Sequence, residues 1–78
     1  MATILRLPQV LARTGDSRST HYLKIERGLM TSQVSLGARS VGWVEHEIDA
    51  TLNARIAGKS EDEIRNLVAK LHAARAAT

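Results

Sequence analysis

The chain of 78 residues is long enough for one small domain. It contains no cysteine, so neither disulfides nor a thiolate zinc site can supplement the core. Its first residues lack the apolar run of a signal peptide, and no stretch approaches membrane-spanning length. We therefore expect a soluble, cytoplasmic protein with no membrane partner. So few residues leave little material for a lined cleft, and we expect no enzyme, no cofactor and no small-molecule ligand.

Positive charge is concentrated in the first half of the chain, although the net charge is only +3. Residues 1–42 contain six basic and two acidic side chains, a net charge of +4, whereas residues 43–78 contain five basic and six acidic ones, a net charge of −1. This polarity favours a protein that presents one face to a polyanion such as nucleic acid. A basic face that is merely solvated would have the same composition.

The first two predicted elements are short helices separated by a glycine. Pro8 suits the first turn of one helix, and Gly15 can end it in the left-handed conformation. Ser17 is a good N-cap for a second helix over Arg18–Arg27, which stops at Gly28. Two short helices joined by a glycine-containing turn are typical of a helix-turn-helix.

A small β-hairpin is predicted after the second helix. Val34 and Leu36 alternate with polar residues, residues 37–39 can turn, and residues 40–42 can return. This arrangement places Arg39 at or near the tip. Because so small a hairpin is not stable alone, we expect it to lean on the helices as a wing.

Two further helices are predicted in the second half. The third is expected to begin near Trp43 or Val44. Its predicted buried stripe consists of Val44, Ile48, Leu52 and Ile56. The fourth begins at the capping-box sequence Ser60–Glu63. Its apolar face consists of Ile64, Leu67, Val68 and Leu71.

These elements predict a mainly α fold. Residues 1–57 are expected to form a winged helix-turn-helix with a small β-hairpin. Residues 58–78 are expected to form a C-terminal amphipathic helix that either packs on the domain or mediates dimerisation.

Two motif-like features carry no catalytic or metal chemistry. Gly58–Ser60 resembles the end of a phosphate-binding loop, but Asn53 stands where that loop requires glycine. The histidines are scattered singly, without a ligand partner at metal spacing, so we expect no metal site. They are His21, His46 and His72.

Trp43 is expected to fill the core rather than to stack on a ligand.

The second helix is the strongest candidate for a functional site. On a helical wheel its buried side consists of His21, Tyr22, Ile25 and Leu29. Its other side consists of Thr20, Leu23, Lys24 and Arg27. A recognition helix places its N-terminal residues nearest the base edges of the major groove. The alternative is an amphipathic surface helix whose polar side only keeps the protein soluble.

We predict DNA contacts for selected polar residues of this helix and for the wing. Arg18 is expected to contact guanine, and Arg39 the phosphate backbone or the adjacent minor groove. Ser19, Thr20 and Lys24 are expected to reach bases or phosphates, and Arg27 a phosphate farther along. The predicted DNA-binding residues are Ser17, Arg18, Ser19, Thr20, Lys24, Arg27 and Arg39.

Several segments together resemble the AlpA family of phage and prophage regulators. They are Arg6-Leu7-Pro8-x-Val10, Thr14-Gly15, Ser17-Arg18-Ser19-Thr20-x-Tyr22, Gly28, Val34-x-Leu36-Gly37-x-Arg39-x-Val41-Gly42-Trp43, Glu45-x-Glu47, Asn53-Ala54-Arg55-Ile56-Ala57-Gly58-Lys59-Ser60 and Leu71-His72-Ala73-Ala74-Arg75. The resemblance implies an excisionase-like, MerR-type winged helix-turn-helix in a bacterial cytoplasm. It also implies a transcriptional regulator, or an architectural factor in excision of an integrated element.

Four positions depart from the pattern of that family. The family usually has an aliphatic residue at His21, often leucine at Asp16, and proline around residues 32–33 and at Val44. Because His21 falls on the predicted buried side, we expect either looser packing of the second helix or an outward-turned imidazole.

The predicted partner is double-stranded DNA, bound by one copy, by a homodimer or by a cooperative assembly. A second interpretation is a small protein-interaction module that binds and inhibits a regulatory protein through its helices.

Overall fold

The computed structural model describes residues 3–76, which form a mainly α-helical, winged helix-turn-helix-like fold. The helices and strands of this part of the chain are β1 (Ile4–Leu5), α1 (Leu7–Thr14), α2 (Arg18–Glu26), β2 (Val34–Gly37), β3 (Ser40–Val44), α3 (Glu45–Ile56) and α4 (Glu61–Arg75).

Local signals place the first two helices as predicted. Gly15 follows α1 with φ at 74°, and its N–H donates to the carbonyl of Leu11. Ser17 precedes α2 and accepts a hydrogen bond from the Thr20 N–H at 3.2 Å. Both caps provide hydrogen-bond partners for backbone N–H or C=O groups that a helix end would otherwise leave without partners.

The wing is present, and it belongs to a three-stranded antiparallel sheet of order β1-β3-β2. Strands β2 and β3 form the predicted hairpin, with Val34 opposite Gly42 and Arg39 in the turn. Strand β1, which was not predicted, pairs Leu5 with Trp43. Two residues are too few for an alternating pattern, so this strand leaves no signal in the sequence.

The start of the third helix was predicted too early. Trp43 and Val44 belong to β3, and α3 begins at Glu45. Pairing with β1 keeps Val44 extended, with φ at −72° and ψ at 122°. Trp43 is completely buried, as expected of a core residue.

The predicted buried stripe of α3 was also partly wrong. Ile48 is buried, but Ile56 is 76% exposed. The helix instead buries Glu47 and Thr51 beside Ile48. The Thr51 hydroxyl lies 3.1 Å and 2.9 Å from the carbonyls of Glu47 and Ile48, so its polar atom is satisfied without water.

Two apolar clusters hold the helices and the sheet together. The first consists of Leu5, Val10, Met30, Trp43 and Ile48, with Leu7 and Ile25 packed against it. The second consists of Leu29, Ile64 and Val68, with Ala54 packed against it. The first cluster joins α1, α2 and α3 to the sheet, and the second joins α4 to α3 and to the segment after α2.

Helix α4 begins with the predicted capping box. The Glu63 N–H donates to the Ser60 hydroxyl, and the Ser60 N–H donates to the Glu63 carboxylate, each at 3.2 Å. Ile64 and Val68 are buried, so part of the apolar face of α4 is covered within the chain.

The far end of α4 neutralises a buried charge. Glu47 is almost completely buried, and its carboxylate makes a two-point ion pair with the Arg75 guanidinium, in which Arg75 Nε lies 2.8 Å from Oε2. Arg75 Nη2 also donates to the Ser32 carbonyl at 2.7 Å. The Ser32 N–H donates to His72 Nε2 at 3.0 Å. Helix α4 is therefore tied to α3 and to the segment that leads into the wing.

We expect Arg75→Ala to lower the free energy of unfolding by about 3 kcal/mol, because it leaves the Glu47 carboxylate buried without its counter-ion. Chemical denaturation measures this loss. Lys70→Ala is the matched control, since Lys70 is an exposed base on the same helix, and it should change stability by less than about 0.5 kcal/mol. Adding Glu47→Gln to Arg75→Ala should recover part of the loss. Equal stabilities of the Arg75 and Lys70 variants would contradict this account.

Candidate nucleic-acid interface

The middle of α2 is held by the buried imidazole of His21. The ring is completely buried, and its centroid lies 5.0 Å from that of Trp43 in an edge-to-face arrangement. The His21 side chain thus packs fully inward, so the expectation of an outward-turned imidazole was wrong. Neither ring nitrogen has a hydrogen-bond partner among the described residues.

Burial lowers the pKa of His21 from its ordinary value, because the charged imidazolium would lose its hydration. The nearby Asp16 carboxylate opposes this shift, and the Lys24 ammonium adds to it. His21 is therefore neutral in the folded protein near neutral pH and acts as an apolar filler.

The C-terminal end of α2 is held by two arginines from later helices. Arg65 Nε of α4 donates to the Arg27 carbonyl at 3.0 Å. Arg55 Nη2 of α3 donates to the Leu29 carbonyl at 3.0 Å. Cationic donors suit this end, because the last carbonyls of a helix carry partial negative charge. These contacts fix where α2 ends.

The turn before α2 is closed by an ion pair. Lys24 Nζ lies 2.7 Å from an Asp16 carboxylate oxygen, and the side chain of Lys24 is only 22% exposed. The other six predicted DNA-binding residues are all exposed. Lys24 is therefore the least accessible of the seven.

The exposed side of α2 contains most of the other predicted residues. Arg18, Ser19, Thr20 and Arg27 are exposed, and α4 does not cover them. The Ser17 hydroxyl is engaged in capping and also donates to the Thr20 hydroxyl at 2.9 Å. Tyr22 differs from the prediction, since it is 39% exposed while its ring still contacts the edges of the His21 and Trp43 rings.

The wing carries its predicted arginine at the turn. Gly37 pairs with Ser40, and Ala38 and Arg39 form the connection between them. Arg39 is exposed. The structure therefore places an exposed cation in the turn of the wing.

Ion pairing separates the basic residues into two groups. Within residues 3–76, acidic partners engage Arg13, Lys24, Lys59, Arg65 and Arg75. The other six, Arg6, Arg18, Arg27, Arg39, Arg55 and Lys70, have no ion-pair partner in the same part of the chain. The candidate site contains three of them, Arg18, Arg27 and Arg39. These three cations lie at α2 and the wing, where their charge is available to an external anion.

The described residues contain no group of three or more His, Asp or Glu side chains placed to hold a metal ion. Within that part of the chain, no helix combines the length and the apolar character needed to cross a membrane.

The burial of His21 predicts a pH-dependent stability. The unfolded chain binds a proton at His21 with a pKa of about 6.5, and the folded protein binds it more weakly. The free energy of unfolding should therefore be highest above that pH. It should decrease as the pH falls, by roughly 1 kcal/mol between pH 7.5 and 5.5. Urea denaturation at both pH values measures the difference.

His21→Leu should make this decrease smaller, because the leucine cannot be protonated. His46→Leu is the matched control, since His46 is exposed and should leave the decrease unchanged. If the wild type and the His21 variant lose the same free energy on acidification, the neutral buried imidazole is not the cause.

Comparison with known proteins identifies the family to which the chain is similar. The family model described as Prophage CP4-57 regulatory protein (AlpA) matches residues 3–56, from the residue before β1 to the end of α3. No solved structure matches the chain.

Two curated proteins are similar to this chain. It is 46% identical over 55 residues to the uncharacterised protein ORF88 of Enterobacteria phage P4, a match that covers 70% of this chain and 62% of that protein. It is 43% identical over 58 residues to the DNA-binding transcriptional activator AlpA of Escherichia coli (strain K12), covering 67% of this chain and 83% of that protein. The match thus spans less than two thirds of the phage protein. The family model covers more than half of the residues of this chain, which therefore belongs to the AlpA family of prophage regulatory proteins.

Proposed function

We propose that this protein is a DNA-binding regulator that reads duplex DNA by placing the exposed side of α2 in the major groove. The observation that carries the proposal is the pair of exposed arginines Arg18, the first residue of α2, and Arg27, its C-cap, which lack acidic partners within residues 3–76. They lie at the two ends of a helix whose buried side is fixed by His21.

The proposed contacts follow from the position of each side chain along α2. Arg18 and Ser19 occupy the first turn, which in this class of motif lies nearest the base edges. An arginine there can make a bidentate contact with guanine, a contact worth about 1–3 kcal/mol of discrimination. Arg27, at the other end, is assigned a phosphate. Thr20 is assigned a base or phosphate contact, and Ser17 supports the first turn through its cap.

The wing is proposed to contact the backbone beside the groove. Arg39 lies in the tight turn between β2 and β3 and makes no ion pair within the described residues. A contact from this position would add affinity without reading sequence, because phosphates are the same at every base pair. Lys24 would contribute once DNA competes with Asp16 for its ammonium.

The regulatory role is inferred from the relatives. One relative is named a DNA-binding transcriptional activator, which favours a transcriptional regulator over an architectural factor in excision. One copy presents a single α2, so two copies on adjacent half-sites would extend the DNA sequence that is read.

The protein-interaction alternative gains no support from α4. A partner would need the apolar face of that helix, but Ile64 and Val68 are already packed against Leu29. Removing the chain after Gly58 would uncover Leu29 and deprive Glu47 of Arg75, so such a truncation would test stability rather than function.

A salt titration tests DNA binding. The duplex is one selected from a random pool by the purified protein, and its affinity is measured by fluorescence anisotropy. Affinity should fall steeply between about 50 mM and 200 mM salt, because each neutralised phosphate contributes about 0.9 to the slope of log K against log salt. Salt-independent binding, or no binding to any duplex, would refute the proposal.

Three alanine variants separate the assigned roles. Arg18→Ala should reduce the preference for the selected sequence over an unrelated one. Arg39→Ala should weaken both duplexes by the same factor and reduce the salt slope by about 1. Lys70→Ala removes an exposed positive charge from α4 and should leave both affinities within about twofold, because a distant exposed charge is largely screened. Identical effects of the Arg18 and Arg39 variants would contradict the division between base and backbone contacts.

A further inference from the structure

We propose that Leu23 is a specificity-determining residue that contacts the C5-methyl group of a thymine in the major groove. The inference rests on the proposed function, since it concerns the same face of α2. It adds an apolar contact to a site that is otherwise described by polar and charged side chains.

Leu23 lies at the centre of the side of α2 that faces away from the core. An α-helix turns about 100° per residue, so a residue two positions from His21 points to the opposite side. Leu23 is two positions after His21, and Ser19 is two positions before it. His21 is completely buried against Trp43. Ser19 and Leu23 therefore lie one helical turn apart on the side of α2 that faces away from the core.

The exposure of Leu23 agrees with this placement. It is 43% exposed, whereas Ile25 packs against the main apolar cluster and Tyr22 contacts Trp43. A single exposed leucine is common on protein surfaces. Leu23 is distinguished by its neighbours, because Thr20 and Arg27 flank it on the same exposed side and Arg27 has no acidic partner in the described part of the chain.

The chemistry of the major groove indicates which group Leu23 would contact. Arg18 in the first turn of α2 and Arg27 directly after its end are complementary to phosphate, which brings α2 towards DNA. Within the major groove, the thymine methyl is the apolar group that a side chain can contact, and it marks thymine against cytosine. A leucine at the centre of the inserted face would bury its own methyl groups there, whereas a polar base edge would leave them without an apolar partner.

The test is a double-mutant cycle between Leu23 and the thymine methyl. In the selected duplex, each thymine is replaced in turn by uracil, which lacks the methyl group but keeps the same hydrogen-bonding edge. For the wild type, one or two uracil substitutions should weaken binding about threefold to fivefold, as expected when one buried methyl group is lost. Leu23→Ala should weaken binding to the thymine duplex by a similar factor and should abolish the effect of those uracils.

Leu36→Ala provides the matched control. Leu36 is 42% exposed but lies on β2 of the wing, so its variant should retain the full uracil effect. Because Leu23 is exposed, its variant is expected to fold, and thermal denaturation of both variants verifies this. The proposal is overturned if the selected site contains no thymine, if no uracil weakens the wild type, or if the uracil effect is the same in Leu23→Ala. A wild type that binds no duplex refutes the proposed function itself.

Discussion

The placement of the candidate recognition helix depends on the packing of the His21 imidazole against the Trp43 indole. Trp43 belongs to the central strand β3, and it also lies in the main apolar cluster with residues of β1, α1 and α3. Burial makes the neutral imidazole the stable form. The contact therefore joins α2 to the sheet and orients the helix: with His21 inward, Ser19 and Leu23 must face outward.

The ends of α2 are fixed by charge. The Asp16–Lys24 ion pair closes the preceding turn, and the guanidinium groups of Arg55 and Arg65 hold the carbonyls that follow. Several basic residues are thus used within the protein itself. Within residues 3–76, the exposed cations without an acidic partner include Arg18, Arg27 and Arg39, so positive charge from the first half of the chain remains available at α2 and the wing.

Helix α4 completes a domain that the family match does not fully cover. The match ends at Ile56, yet Glu47, which lies inside it, is neutralised by Arg75 of α4. The same arginine holds Ser32 at the entrance to the wing. In this chain, the helix outside the match therefore stabilises both α3 and the segment that positions the wing.

Features with local causes could be predicted from sequence, and features with distant partners could not. Gly15, Ser17 and the Ser60–Glu63 box each act within one turn of helix, so their positions predicted the helix ends. Strand β1 and the exposure of Ile56 depend on elements far along the chain, and a local apolar pattern does not report them. The accessibility of Lys24 was likewise set by its pairing with Asp16 in three dimensions.

In the proposed complex, the exposed side of α2 and the wing turn meet DNA while α4 does not. Amide chemical shifts of the ¹⁵N-labelled protein, followed by NMR during titration with the selected duplex, test it most directly. We expect the largest changes at residues 17–27 and 38–39, with little change along the exposed side of α4 around Asn66 and Lys70. The largest changes on α4, with α2 unaffected, would contradict it.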